Sequence, residues 1–436
     1  MFARYVVTMI ACCTLTMAGC GGSQRPDASS SNSAPGVSEG LARAFDLTER
    51  TVALASNDFG LVLTTRVAAA DTRANIVLSP LSASMALGMA LNGADGATLD
   101  AMRSGLGFGS LTIEQINGAY RTLLKSLRHR DPAVRFEIAN ALWTNDGIPF
   151  HEAFLQTIDH TFEAQAQSRD FGSPATLAAI NTWVKQKTGG RIERIVDTLD
   201  PALSALLVNA IHFEGAWTTQ FDPAKTQRAT FTREDGSTVD VDMMSMDRAE
   251  LRRAYNAAYA AVELPYGNGA FSMIVVLPDP GVTARAWLSQ LDGEQWAALL
   301  DELAVGRIDR LSIPKVRLTY DAYLNDALKQ MGMGAAFRPG ADFSRMSPAG
   351  EQMCIDFVRQ RTFVEMDERG TRAAAATGVG MGLVSFTELV FDRPFVFFIR
   401  EQDSGALLFV GLVTDPTAQG TPPEQLVSSC TSMPSE

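Results

Sequence analysis

Histidine and cysteine are scarce here, with four and five residues among 436. Three of the cysteines, Cys12, Cys13 and Cys20, crowd into the first twenty positions. Only Cys354 and Cys430 follow, which excludes a dense disulfide scaffold and a cysteine-rich zinc site. The usual enzyme signatures are missing as well. There is no Gly-x-Ser-x-Gly, no His-Glu-x-x-His and no Gly-Lys-Thr/Ser phosphate loop. Asp170-Phe171-Gly172 stands without the other parts of a kinase and is a chance triplet. Positive charge is in deficit: the formal net charge of −12 argues against general nucleic-acid binding and keeps molecules apart in solution. No apolar run beyond the first nineteen residues is long enough to cross a bilayer. Nothing in the chain reads as an enzyme or calls for a cofactor or metal.

What is present is apolar bulk: 46% of residues are hydrophobic, enough for a large core. Residues 1–19 carry Arg4, then an apolar run, then Met17-Ala18-Gly19 before Cys20, which reads as a secretory signal. The junction is similar to the bacterial lipobox, in which the cysteine is diacylated and becomes the mature N-terminus. An ordinary signal peptide that happens to contain cysteine is the other reading. Gly21 rather than aspartate follows Cys20, which by the same resemblance implies the outer membrane or cell surface. Residues 20–40, rich in Ser, Gly, Pro and Ala, read as a lipidated, flexible stalk. Residues 41–416 hold the folded domain, and 417–436 form a polar tail. Cys354 and Cys430 would stay in the mature chain, and an oxidising compartment permits them to pair; the sequence leaves that open.

Along the domain, periodicities alternate between helix and strand, which makes an α+β class. Apolar residues at helical spacing from Leu41 to about Ala70 predict an opening helix. A short strand from Asn75 breaks at Ser79-Pro80, and the Ala-, Leu- and Met-rich stretch 81–91 predicts a buried helix. Arg121, Lys125, Arg128 and Arg130 form a basic cluster, read as a solvated helix face. The run from Ala205 to Phe213 predicts a strand buried on both faces. Hairpins are predicted at 231–244 around Asp235-Gly236, at 260–277, and at 391–411 around Asp403-Ser404-Gly405.

One stretch departs from these rules. Four alanines, Ala373 to Ala376, favour helix, yet Gly378, Gly380 and Gly382 then alternate with Val379, Met381 and Leu383. Carried backwards, the alternation puts Thr371, Ala373, Ala375 and Thr377 on the same face as Val379, Met381 and Leu383. Arg372, Ala374, Ala376 and the glycines take the other face. Thirteen such residues span roughly 43 Å, far beyond a usual strand. Glycine-rich strand is weak by itself because glycine loses more entropy on ordering. The composition suits a loop in one state and a buried strand in another.

Glu368-Arg369-Gly370-Thr371-Arg372-Ala373-Ala374-Ala375-Ala376-Thr377 resembles the hinge of the serpins, the serine protease inhibitor superfamily. So do Asn75 to Thr98, Ile180 to Val184 followed by Thr188 to Ile192, and Leu207 to Trp217. The resemblance covers about 41–416. It implies a serpin fold: a large central sheet and smaller sheets, about nine surrounding helices, and an exposed reactive centre loop. It implies a monomer whose partner is a serine protease, held as a covalent acyl complex. Its contact with membrane is through the N-terminal lipid only. In that mechanism the protease attacks the loop, and the cut loop enters the central sheet as a new strand before the ester hydrolyses. The inhibitor supplies a bait bond and no catalytic group. The uncharged inward face fits burial, since a buried lone charge costs several kcal/mol.

By the same resemblance Ser79, Ser82, Asn209 and Gln360 form the polar network controlling sheet opening, and Trp217, Lys315 and Glu368 stand where the loop first enters. Glutamine at 360 replaces the histidine more usual in serpins. Counting from Gly370, the reactive bond falls at Val384-Ser385; counting back from Arg393-Pro394-Phe395 it falls at Leu383-Val384. Insertion needs a nearly fixed length from hinge to bond, which favours the first. Valine at the bond suits an elastase-like protease, and leucine a chymotrypsin-like or elastase-like one. The alternative is a non-inhibitory serpin-fold surface lipoprotein acting as a binding module.

Overall fold

The structure, a computed structural model, describes residues 44–73, 75–370, 387–418 and 420. Cys20, the hinge residues from Thr371 to Thr377, the bait residues Leu383, Val384 and Ser385, and Cys430 lie outside the described residues.

Nine α-helices occur among the described residues. The first, α1 (Leu47–Ala70), begins six residues later than its periodicity predicts, because Asp46 and Glu49 close a reciprocal capping box there. Strand β1 (Asn75–Leu78) stops at Ser79, and Pro80 opens α2 (Pro80–Gly93), which is buried nearly all round. Then come α3 (Gly96–Gly105) and α4 (Ile113–Arg128), β2 (Val134–Asn145), α5 (Glu152–Phe162), β3 (Gln165–Arg169) and α6 (Pro174–Lys187). β4 (Ala205–Gly215), β5 (Gln227–Thr232), β6 (Thr238–Tyr255), β7 (Tyr259–Tyr266) and β8 (Phe271–Pro278) follow. Two short helices, α7 (Ala284–Ser289) and α8 (Gly293–Glu302), precede β9 (Ala304–Pro314) and β10 (Val316–Tyr323). α9 (Asn325–Gln330) leads to β11 (Arg359–Met366), β12 (Glu388–Val390), β13 (Phe395–Glu401) and β14 (Leu407–Val413).

The strands make one mixed nine-stranded sheet, ordered β1-β14-β13-β8-β7-β6-β9-β12 with β5 on β6, and two smaller sheets, β3-β2-β4 and β10-β11. β13 and β14 are buried along their whole length, so this terminal hairpin forms the heart of the large sheet. The two small sheets lie with β4 facing β11 across a gap, and no strand ladder joins them among the described residues.

That gap explains a departure from expectation. β4 is not uniformly buried; Ala205, Leu207 and Asn209 are half-buried and line the gap. The other face of β4 is a packed one: Leu206, Val208 and Ala210 share a cluster with Ile180, Trp183 and Val184 of α6. Ile211 points instead into the main core. The segment after α6 crosses to β11 through polar contacts. Arg191 pairs with Glu365, Arg361 donates to the Arg194 carbonyl at 2.8 Å, and Arg359 reaches Asp197 at 2.9 Å.

Candidate functional site

At the upper end of the gap the chain turns sharply after β11. Gly370 has φ +77°, a conformation that side chains disfavour, and a Cβ there would overlap the backbone of Ala216 and Trp217. Its N–H donates to the Asp367 carbonyl at 3.2 Å, and Asp367 and Gly370 form an antiparallel bridge. Trp217 secures the turn from the β4 side. Its backbone N–H donates to the Arg369 carbonyl at 3.0 Å, and its indole N–H to the Asp367 carbonyl at 3.0 Å. Its ring is stacked on Tyr266, centroids 4.3 Å apart.

Glu368 ties the same turn to a third element. Its carbonyl accepts from Phe221 N–H at 2.9 Å. Its carboxylate accepts the Thr226 hydroxyl at 2.7 Å and meets Lys315 at 3.0 Å. Burial pushes this carboxyl up, but Thr226, its own backbone N–H and Lys315 outweigh that and hold it below the ordinary range. Trp217, Lys315 and Glu368 are thus brought together.

The four residues expected in one polar network fall into two halves. On the β4 side the Ser82 hydroxyl bonds the Asn209 side chain, which donates to Asn140 at 2.6 Å. Asn140 in turn donates to the Phe162 carbonyl at 2.7 Å. On the β11 side the Gln360 amide grips the backbone of Ser79, accepting at 2.8 Å and donating at 3.0 Å. Thr362 donates to the Val77 carbonyl at 2.6 Å. No hydrogen bond joins the halves among the described residues. The Ser79 hydroxyl itself is buried without a hydrogen-bond partner; the residue takes part through its main chain. Asn140 was legible in principle, being a polar residue set between Ile138 and Leu142 on a mostly apolar face. Thr226 gave no such signal.

The lower end of the gap is an apolar cleft lined by Ala86, Leu87, Leu207, Met353, Cys354 and Ile355. Cys354 is disulfide-bonded there, to a partner outside the described residues. Thr387, the first described residue after Gly370, is clamped to β9. Its N–H donates to the Asp309 carboxylate at 2.9 Å, and its carbonyl accepts from Asp309 N–H at 2.9 Å. β12 then runs parallel to β9 in the register Glu388 to Arg310, Leu389 to Leu311 and Val390 to Ser312. The backbone bond from Thr387, with Arg307 beside it, holds the Asp309 carboxyl low. Sequence reading did not find this clamp.

The basic cluster needs correction. Arg128 pairs with Glu163 and donates to the Ile138 carbonyl, and Arg130 pairs with buried Glu401 and with Asp403. Two of the four cations are therefore committed to acids of the fold and do not form a solvated face; Lys125 does stand exposed on α4. Among the described residues no group of three or more His, Cys, Asp and Glu could hold a metal ion.

A gap between β4 and β11 with the Gly370 turn at its upper end, and β12 clamped on β9 beyond it, is the arrangement the site presents. The family of serpins (serine protease inhibitors) matches residues 54–416, and the chain belongs to it. Iripin-5 of Ixodes ricinus is 33% identical over 375 residues, covering 84% of this chain and 95% of that protein. Among solved structures, the native state of tengpin, a thermophilic serpin, is 30% identical with a TM-score of 0.77, over 86% of this chain and 96% of its own. Human thyroxine-binding globulin, solved in complex with thyroxine, is 26% identical with a TM-score of 0.78, over 85% of this chain and 100% of its own. The family is one of protease inhibitors.

Proposed function

We propose that the protein is an inhibitory serpin, a suicide-substrate inhibitor of elastase-like or chymotrypsin-like serine proteases. The observation that carries this reading is the reversal at Gly370, where the chain turns back to bridge Asp367 at the end of β11. The bridge of Asp367 to Gly370 sets a register; continued, it brings Thr377 beside Gln360. An inserted loop would then lie between β4 and β11, with Thr371, Ala373, Ala375 and Thr377 facing inward. About a dozen new ladder bonds at ~1 kcal/mol each make insertion downhill by on the order of 10 kcal/mol, before side-chain burial. Glu368 with Lys315 and Thr226, and the separate networks of Ser82 with Asn209 and of Ser79 with Gln360, are the contacts that govern opening.

The target's serine attacks the carbonyl of Val384, forms an ester with it and expels the amino group of Ser385. Leu383-Val384 is the second candidate bond. We further propose that residues 1–19 are a signal, that Cys20 is lipidated and that the stalk to residue 40 tethers a monomeric domain, 41–416, at the outer membrane or cell surface, with 417–436 as its tail. A non-inhibitory binding module is the competing reading, because the fold of thyroxine-binding globulin is as close as that of tengpin. Hinge composition favours inhibition, since four alanines and an uncharged inward face accept burial.

A panel of serine proteases on denaturing gels separates the readings. An ester-linked adduct, with a small fragment beginning at Ser385 after reduction, is the expected result. Cleavage with no adduct for any protease overturns inhibition, and trapping of trypsin after a cut at Arg372 or Arg393 overturns the assigned bond.

A further inference from the structure

We infer that the disulfide at Cys354 is made with Cys430, and that it keeps the C-terminal piece of the chain covalently attached after the bait loop is cut. The inference rests on the inhibitory reading only for where the cut falls.

Cys354 is in a disulfide, and the other cysteines are Cys12, Cys13, Cys20 and Cys430. On the lipoprotein reading Cys12 and Cys13 leave with the signal, and the sulfur of Cys20 carries the lipid. Chain reach points the same way. Gly420 lies against the backbone of Thr319 in β10, and Thr319 is opposite Phe363 of β11. From Phe363 to Cys354 is nine residues, and from Gly420 to Cys430 is ten. Ten residues extend to about 33 Å, enough to run from Gly420 to the lower end of the gap, where Cys354 lies.

The topology gives this bond a consequence. A cut anywhere between Gly370 and Thr387 leaves β12, β13 and β14 on the C-terminal piece and every other element on the N-terminal one. The piece that is severed carries the hairpin at the heart of the large sheet, held by β12 on β9, β13 on β8 and β14 on β1. Without a disulfide those three ladders and their packing would be the ties. Cys354 lies on one side of the cut and Cys430 on the other, so the bond bridges it. Hydrolysis adds one water across a peptide bond and leaves the sulfur–sulfur bond alone. Opening that bond takes two electrons and two protons from a dithiol such as dithiothreitol, which is itself oxidised, and yields two thiols. Retention of the C-terminal piece is thereby made independent of sheet packing and sensitive to reduction.

The full chain is cut by a panel of proteases, whether or not they become trapped, then denatured and weighed by mass spectrometry with and without dithiothreitol. We expect one inhibitor-containing species without reductant, at the intact mass plus one water where the cut chain is released and at the intact mass plus the protease where it is trapped, and two species with reductant. Cys430→Ser should separate into two without reductant. If that variant does not fold, a non-reducing digest of the wild type should contain the linked peptides of Cys354 and Cys430. Separation of the wild type without reductant overturns the inference, as does a Cys430→Ser protein that stays joined until reduced, or a link from Cys354 to another cysteine. A failure of the inhibitory reading shows instead as absence of protease adducts in the same samples, with fragment retention unchanged.

Discussion

Removal of the Glu368 carboxylate tests how the hinge is held. In Glu368→Ala the backbone bond from Phe221 survives, and two side-chain contacts are lost. The Thr226 hydroxyl, 2.7 Å from a charged acceptor, accounts for about 1.5–3 kcal/mol. The Lys315 ammonium is 38% exposed, so screening reduces its share to under about 1 kcal/mol. Together they make about 2–3 kcal/mol. Unfolding entropy scales with chain length, so a domain of this size loses roughly 1–1.5 °C per kcal/mol, and Tm should fall by about 3 °C. Scanning calorimetry of the uncut protein reads this directly, with Lys315→Met as the comparison. That variant should cost under about 1 kcal/mol. The pH dependence has a definite sign. Glu368 titrates below its ordinary value of 4.5, so its contribution is complete above that value and disappears as pH falls through the lower, folded one. The gap between wild type and Glu368→Ala should be full at pH 7 and close in acid. An unchanged Tm, or a Lys315→Met loss as large as that of Glu368→Ala, refutes the assignment of the hinge to the Thr226 contact.

Three further outcomes are expected. Gly370→Val places a branched side chain at φ +77° against the backbone of Trp217 and should cost about 2–4 kcal/mol, with a shifted tryptophan emission as the turn leaves Trp217; native emission and Tm would contradict the close approach. Arg359→Met strips Asp321, 4% exposed, of its nearest cation and should destabilise by about 3–5 kcal/mol in thermal unfolding; a loss under about 1 kcal/mol would show that Arg361 substitutes fully. Asp309→Ala frees the far foot of the loop at Thr387, so uncut protein should lose inhibitory capacity several-fold faster on storage while fresh protein forms the same yield of gel-stable complex; equal storage lifetimes would remove Asp309 from that role.

Much of the architecture was legible residue by residue. Ser79-Pro80 announced the passage from β1 to α2, because proline cannot continue a ladder but suits a first helical turn. Asp235-Gly236 and the Phe271 run predicted their hairpins, since turn chemistry and a short apolar run ending at proline act over a few residues. Lys315 and Glu368 were legible as companions from their positions in the family pattern, and the structure pairs them beside the turn at Gly370. Asn140, Thr226 and Asp309 were not picked out, and Arg128 and Arg130 read as a free basic face.

The division has a physical cause. Periodicity, capping and turn residues record the energetics of a chain with its own near neighbours, and those terms decide which segments become helix or strand whatever they pack on. What β4 faces, which acid neutralises Arg130, and whether Ser79 and Asn209 share one network depend on groups brought together only when the chain closes. Ser79 is 281 positions from Gln360, and Arg130 is 271 from Glu401. The amino-acid order alone determined most of the elements and the family. Tertiary structure decided that the polar contacts beside the gap are split, Ser82 with Asn209 on one bank and Ser79 with Gln360 on the other, because the two strands that carry Asn209 and Gln360 belong to separate sheets and share no ladder among the described residues.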